Sequence, residues 1–315
     1  MIEVSHPATP TSPVRDEQAG DDVNLAAMAK ILSASGRYRV QRRLEPRRTI
    51  NPPDGSATRT ALFVDVETTG LDPYKDEIIE LAMVPFTYGL DGRIFEIGEP
   101  FERFQEPKRP IPANITRLTG ITDAMVAGQH INPDEVSAFA DSAALVVAHN
   151  ATFDRRFVER LSEVFATKPW ACSMTQIDWT GEGHEGTKLT YLAAGAGFFY
   201  ERHRAVHDCH AGIELLAAAL PISGVSAMSH LLDRARRSSW RIWAENSPFD
   251  LKDTLKARGY RWNGDNNSSP RAWYVDVDDQ ARESELAYLR GEIYKREIEI
   301  LENKITAYNR FSDRL

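Results

Sequence analysis

Residues 61–71 read ALFVDVETTGL, an apolar run that ends in a carboxylate, one spacer and a second carboxylate, followed by two hydroxyls and a glycine. A short apolar run closed by turn residues reads as a strand. Strand side chains alternate with period two, so Asp65 and Glu67 leave the same face a few ångströms apart. Two like charges so placed repel, and a hard divalent cation, magnesium or manganese, between them is the ordinary remedy. The solvent face of an edge strand would tolerate the same pair, and this stretch alone leaves both readings open.

The rest of the chain narrows the choice. Ile78–Tyr88 and Arg93–Phe101 read as two further strands around a turn at 89–92, forming a meander with the first. After Pro107, Pro110 and Pro112, Ile115–Ile121 is expected to lead into a short helix and Pro133–Ala140 to form another, capped by Asn132. Ala143–Ala148 is wholly apolar, a buried strand parallel to the first, and leads into His149 and Asn150. Phe153, Phe157, Leu161 and Phe165 recur at helical spacing, which puts Asp154 in the first turn of a helix. That helix starts at the carboxyl end of a core strand, where α/β sheets build their sites, although a first-turn Asp also serves the helix dipole. A strand at Trp170–Met174 and a helix near Leu189–Ala194 follow. Ala205, Cys209, Ile213, Leu216 and Leu220 then mark a long buried helix with Asp208 near its start. His203 precedes Asp208 by five residues, about 140° on a helix, so the two face one point only if His203 sits in the loop before it.

Four carboxylates and a histidine so distributed are what two-metal phosphoryl chemistry requires: hard ligands for two ions roughly 3.5 to 4 Å apart and a base for the attacking water. The segments DVETTG, HNATFD and HRAVHD, in this order, resemble the three motifs of the DEDDh (DnaQ-like) 3′–5′ exonuclease family, which includes the proofreading epsilon subunit of bacterial DNA polymerase III. The resemblance runs from near Arg59 to about Pro221 and extends to LTGIT at Leu118–Thr122 and to Lys188 and Leu189. It implies a ribonuclease H-like α/β fold, a mixed sheet flanked by helices, and stepwise release of 5′-mononucleotides from single-stranded or frayed DNA 3′ ends, in repair or editing. It further implies two divalent cations, Mg2+ or Mn2+. Asp65, Glu67 and Asp208 would hold the ion that activates water, Asp65 would bridge to the second, and Asp154 would bind there directly or through water. His203 matches the general base. Thr68, Thr69 and Gly70 would meet the terminal nucleotide, Leu71 would wedge beside its base, and His149, Asn150 and Phe153 would shape the second motif.

Two other functions share this inventory. An exoribonuclease of the same family acts on short RNA with the same acids and histidine, and a partner-binding protein retains the fold without catalysis; the intact polar set argues against the latter, since a scaffold has no use for clustered carboxylates. Zinc at His203, His207, Cys209 and His210 lacks a second ligand pair and would need Cys209, which falls on the buried helix face.

Domain organisation follows composition. Residues 1–58 read as a largely disordered extension, with the first 20 or so unstructured, one short helix at Leu25–Leu32 and a solvated cluster of six arginines between Arg37 and Arg48. Residues 59–222 read as the nuclease domain, 223–280 as a small α+β module and 281–315 as a charged helix spanning Glu283–Tyr308, whose apolar stripe packs on the module or, as the alternative, pairs with another copy. Four of the six tryptophans, 240, 243, 262 and 273, lie in the module among nine arginines and lysines between Arg234 and Tyr274. Trp243 and Trp262 are expected to be packed, and the basic surface to bind single strands, so that removing residues after about 225 weakens binding more than it lowers the maximal rate. With a net charge of −8 the whole molecule attracts no polyanion, so nucleic-acid contact must come from a local basic patch or from metal. Two distant cysteines suit a reducing cytoplasm, no run reaches membrane-spanning length, no glutamine-led clamp-binding peptide is recognisable, and the oligomeric state is not encoded in any motif.

Overall fold

A computed structural model describes residues 17–264 and 269–315. Residues 1–16, on which most of the expected N-terminal disorder falls, lie outside the described residues. The chain divides into one unit ending at Arg42 and another spanning residues 43–315. In the first, the helix expected at 25–32 is longer, α1 (Glu17–Ala34), and ahead of Arg43 begins a two-residue strand, β1 (Arg42–Arg43).

The six arginines between Arg37 and Arg48 are exposed as expected, but from Leu44 onward the segment is no free tail. Leu44 and Ile50 pack against the core, Ile50 N–H donates to Phe95 O at 2.8 Å, and Arg47 makes a two-pronged pair with Glu214 at 3.1 and 2.7 Å. Two apolar anchors spaced among the arginines supply the reason: they bury, and the guanidiniums between them reach acids on the domain surface.

The main sheet is built from β2 (Thr58–Thr68), β3 (Ile78–Gly89), β4 (Ile94–Ile97), β5 (Phe101–Phe104), then, after the helices α2 (Ala113–Thr119), α3 (Asp123–Val126) and α4 (Pro133–Ala140), β6 (Leu145–Ala148). The helices α5 (Ala151–Leu161) and α6 (Val164–Thr167) lead to its last strand, β7 (Trp170–Cys172). Strand order is β4-β3-β2-β6-β7, with β5 also on β3; β2 is antiparallel to β3 and parallel to β6, so the sheet is mixed. The expected strand at 93–101 forms as two, β4 and β5, which take successive stretches of one edge of β3. Asn132 caps α4 as expected, its side chain accepting from Asp134 N.

Both faces of β2 are covered at its centre, which is why residues 61–64 run apolar without alternation. Leu62, Val64 and Val66 face the α4–α5 side. Ala61 and Phe63 face α7 (Leu189–Gly195), α8 (Ala205–Ala217) and α9 (Ala227–Arg236), α8 following the short strand β8 (Phe198–Phe199). No helix among the described residues is long and apolar enough to cross a membrane.

The C-terminal module is a four-stranded antiparallel sheet, β10-β11-β9-β12, formed by β9 (Ser239–Ala244), β10 (Arg261–Trp262), β11 (Trp273–Asp278) and β12 (Glu302–Ile305). A 3-10 turn (Phe249–Leu251) runs into α10 (Lys252–Ala257), and with α11 (Arg282–Tyr288) it buries one sheet face, that of Ile242, Ala244, Trp240, Trp273, Val275 and Val277. Trp243 is buried as expected, but Trp262 is 52% exposed, because β10 is a two-residue edge strand and the Trp262 ring meets Trp273 edge-on, centroids 5.8 Å apart, instead of entering the module core. The single terminal helix does not form. After α11 a π turn (Leu289–Tyr294) ends at Lys295 with φ +51°, and the chain returns as β12. Leu286, Leu289 and Ile293 pack on the module as the stripe requires, whereas Ile298 and Ile300 alternate with polar residues, a strand period that a longer helical pattern hides.

Candidate active site

Asp65 and Glu67 continue the face of β2 on which Ala61 and Phe63 meet α8. Gly212 lets α8 lie directly on the strand, since a Cβ there would fall 2.2 Å from the Phe63 ring. Cys209 points into the same contact, 3.6 Å from Phe63 O and 3.8 Å from Ala82 O, and is spent on packing. One turn before Gly212, Asp208 therefore reaches the two strand acids. One oxygen each from Asp65, Glu67 and Asp208 lies within 4.8 Å of the others, the only such group of three or more His, Cys, Asp or Glu among the described residues.

Asp154 joins from the other side of β2. It is buried in the first turn of α5, and its Oδ1 accepts Val66 N–H at 3.2 Å, between Asp65 and Glu67 along the strand. It stands outside the three-oxygen group but within electrostatic reach of Asp65 and Asp208.

His203 lies in the loop before α8, not on it, with φ +62°. Its backbone N–H donates to Asp208 Oδ2 at 2.8 Å, while Tyr200 Oη donates to Oδ1 at 2.8 Å, so both oxygens of Asp208 are fixed. Burial, then the charge of Arg202, holds the His203 imidazole below its ordinary value.

Sequence reasoning missed Tyr200, Arg204 and Glu80. Glu80 lies directly opposite Glu67 in the β2–β3 register and is fully buried. Its Oε1 accepts Arg204 Nε and Nη2, both at 3.0 Å, and its Oε2 accepts Ala205 N–H at 3.0 Å; Arg204 also reaches Glu102 at 3.2 Å. This one carboxylate ties the start of α8, and with it the His203 turn, to the sheet. The signal was a single acid inside the apolar run IIELAMV, a position that demands a partner.

The neighbouring candidates divide. Thr68 is buried and its hydroxyl donates to Gly70 O at 2.5 Å, while Thr69 Oγ1 accepts Glu77 N–H at 3.0 Å, so both hydroxyls shape the loop. Gly70 leaves room for the Asp76 carboxylate, which accepts Asp72 N–H at 2.9 Å; a Cβ at position 70 would fall 2.5 Å from it and displace it. Leu71 projects, 81% exposed. His149 is engaged at both ring nitrogens, with Ser173 Oγ at 3.0 Å and Thr187 O at 2.8 Å, and burial lowers its pKa to about 4. Asn150 is exposed at the helix start, and Phe153 is half-buried against Phe157, ring centroids 5.0 Å apart.

α5 is held from behind by the chain's last residues. Arg155 is fully buried next to Asp154; it pairs with Glu159 at 2.7 Å and donates to Tyr308 O and Arg310 O, each at 2.7 Å. Trp170 N–H donates to Ala307 O at 2.7 Å, Ser312 Oγ donates to Glu159 at 2.7 Å, and Asp313 pairs with Arg156 at 2.6 Å.

Burial and mutual repulsion leave the acids poorly ionised in the absence of a counter-charge. Burial, then Asp208, Glu80 and Asp154, pushes Glu67 up to about 8. Burial raises Asp154 to about 7, and Asp208 to about 6 despite the hydrogen bonds from Tyr200 and His203. Asp65 is held well above the usual carboxylate range by burial and then by Asp208, Asp154 and Glu67. Four such groups with hard oxygen donors fit a divalent cation, which would neutralise what the protein leaves unpaired.

Residues 62–216, about half of the chain, match the RNase_T exonuclease family. They form a DnaQ-like exonuclease domain. The sheet and its flanking helices are accordingly a ribonuclease H-like exonuclease fold. Over 172 residues the chain is 43% identical to the PolC-type DNA polymerase III of Bacillus subtilis, covering 51% of this chain and 11% of that protein. With the PolC-type enzyme of Clostridium perfringens it shares 33% over 173 residues, 53% of this chain and 12% of the relative. The chain thus spans only about a ninth of these relatives. Among solved structures, exonuclease X in complex with 5′ overhanging duplex DNA aligns with a TM-score of 0.42 and 27% identity over 55% of this chain and 98% of that one. Exonuclease I of E. coli with a dA16 oligonucleotide aligns with a TM-score of 0.46 and 15% identity over 74% and 71%. The exonuclease domain thus carries its acidic cluster where β2, α5 and α8 converge.

Proposed function

We propose that the protein is a metal-dependent 3′–5′ exonuclease that removes 5′-mononucleotides from DNA ends, with residues 59–222 as catalytic domain and 223–280 as accessory module. The observation that carries this reading is the convergence of Asp65, Glu67 and Asp208 within 4.8 Å, with the His203 turn pinned to Asp208 beside them. Asp65, Glu67 and Asp208 would hold one divalent ion and Asp154, with Asp65, a second; Mg2+ or Mn2+ suits the donors. Such ions, when bound, supply an acidified water and offset the charge on the leaving oxygen. The chain's own part is positional and acid–base. Tyr200 and the His203 N–H fix both Asp208 oxygens, and Glu80 fixes the helix start behind them. The His203 imidazole, held below its ordinary pKa by burial and then by Arg202, would take the proton from the attacking water. The 68–70 loop offers its backbone and shape to the terminal nucleotide, Leu71 offers an apolar edge for its base, Asn150 and Phe153 flank it, and His149 ties the second motif to the Thr187 loop. The name of the PolC-type relatives supports DNA as substrate.

The test is protein with magnesium or manganese and oligonucleotides bearing a phosphorothioate block at one end. A 3′ block is expected to halt mononucleotide release and a 5′ block to leave it unchanged. Protection by the 5′ block alone would overturn the polarity, and faster hydrolysis of a matched RNA would move the substrate to RNA.

A further inference from the structure

The sheet face of the C-terminal module that its helices leave uncovered is not an ordinary polar surface. The β9–β11 register sets Arg241 opposite Asp276 and Trp243 opposite Tyr274, and Arg261 of β10 stands opposite Tyr274. These residues line a cavity of about 530 Å3 whose other wall is α5, through Thr152 and Arg156, and the segment 310–313. A second cavity of about 670 Å3, lined by Arg234, Arg236 and Arg237, shares Ser239 and Arg310 with the first, so the two form one trough.

Charge along this trough does not balance. Its described side chains include seven arginines and four aspartates, in a chain whose net charge is −8. Arg241 and Arg261 share a single carboxylate, Asp276, with Nη2 to Oδ2 at 3.0 Å from each. Both guanidiniums also lie over Tyr274, 4.5 and 4.9 Å from the ring centroid. Among the described residues Arg310 donates only to the backbone carbonyls of Ala235 and Arg237, at 3.2 and 2.6 Å, and burial, then the charge of Arg234, lowers its pKa. Arg234 and Arg236 are exposed and have no acidic partner among the described residues. A partly enclosed groove with spare guanidiniums and an aromatic floor matches an extended polyanion rather than a single ion.

Its position says which one. Thr152 and Arg156 line the trough one turn apart on α5, and Asp154, midway between them, points the opposite way to Val66. The trough and the acid cluster therefore flank one helix, about 10 Å across. We propose that the trough holds the backbone of a single-stranded nucleic acid, upstream of a 3′ end seated at the acid cluster, the chain crossing the exposed start of α5. This rests on the exonuclease reading for the placement of the 3′ end, not for the trough itself. The trough reads phosphates and not bases, so it adds affinity in proportion to strand length until it is filled.

The experiment is fluorescence anisotropy without divalent cation, using labelled oligothymidylates from a dinucleotide to a pentadecamer, across a salt series. Wild-type affinity is expected to climb about tenfold or more with length. In the double variant Arg236→Gln, Arg261→Gln, both sites being surface side chains, the climb should flatten and the log–log salt slope fall by about 1.4, at about 0.7 for each phosphate of a single strand that the protein ceases to neutralise. Circular dichroism on the same samples checks folding, and Lys at both positions should restore most of the slope. Unchanged length dependence and slope in the double variant would overturn the proposal. Hydrolysis of the p-nitrophenyl ester of thymidine 5′-monophosphate, which reaches only the acid cluster, separates the two readings. Its absence with length-dependent binding intact fells the exonuclease and leaves the trough, and its presence with length-independent binding does the reverse.

Discussion

Two regions of this molecule concentrate like charge, and they do so in opposite ways. The acids converge: three carboxylates, half-buried between β2 and the start of α8, share a space of 4.8 Å and are raised above their ordinary pKa values by desolvation and by one another. The arginines disperse along a sheet face, partly paired, partly stacked on Tyr274. The first arrangement suits a small, highly charged ion, and the second suits a long, regularly charged chain. Spacing and burial, rather than the sign of the charge, separate a reaction centre from a holding surface.

The contrast is broken most severely at the acids. Asp65→Asn is expected to lower turnover by about a thousandfold or more, about 4 kcal/mol of transition-state stabilisation, while raising the melting temperature of the metal-free protein by relieving repulsion. Turnover and melting curves on one preparation check both. A loss of activity with a loss of apo stability would mean the acids are held by partners and not by an awaited cation. His203→Ala should cost about 10²- to 10⁴-fold in turnover while the magnesium-induced rise in melting temperature persists, because the imidazole moves a proton and holds no metal. Normal turnover in that variant removes it from the chemistry.

The same contrast marks what could be read from the chain. Period-two and period-3.6 patterns gave β2, β6, α5 and α8, and the angle between His203 and Asp208 gave the loop position of the histidine, because these features are local. The role of Glu80 was hidden for the opposite reason: a lone acid in an apolar run demands a partner, but that partner, Arg204, is 124 positions away, and nothing near Glu80 in sequence says which cation will satisfy it. Likewise β12 was hidden in a stripe compatible with a helix, and exposed Trp262 followed from the edge position of β10, which only pairing defines.

The C-terminal segment bears on the expectation that removing residues after about 225 weakens single-strand binding more than it lowers the maximal rate. Arg155 is buried against the carbonyls of Tyr308 and Arg310, so truncation leaves a guanidinium and the edge of β7 unsatisfied beside Asp154. Arg155→Met is expected to destabilise the protein by about 3 kcal/mol, read from urea denaturation, by stripping the charge partner and two buried acceptors. A change below about 1 kcal/mol would restore the module to the status of an add-on.

The finest test of the comparison is pH, because carboxylates titrate where guanidiniums do not. Glu67, Asp154 and Asp208 rise in the fold to about 8, 7 and 6 from ordinary values of 4.5, 3.8 and 3.8. The folded, metal-free protein thus binds protons that the unfolded chain has already released between about pH 4 and pH 8. A raised acid contributes stability below its unfolded pKa and loses it as pH climbs through the folded value, so the metal-free protein should weaken steadily across this window. A divalent cation binds the ionised acids and competes with those protons. At a concentration about a hundredfold above its dissociation constant it should stabilise by about 2.7 kcal/mol near pH 8, and by little near pH 5. Thermal melts with magnesium and with EDTA across this range measure the difference directly. The arginine trough adds nothing to that slope, so the Arg236→Gln, Arg261→Gln variant should reproduce it, whereas Glu67→Gln should flatten it; a cation effect independent of pH would show that the acids are ionised before any ion arrives.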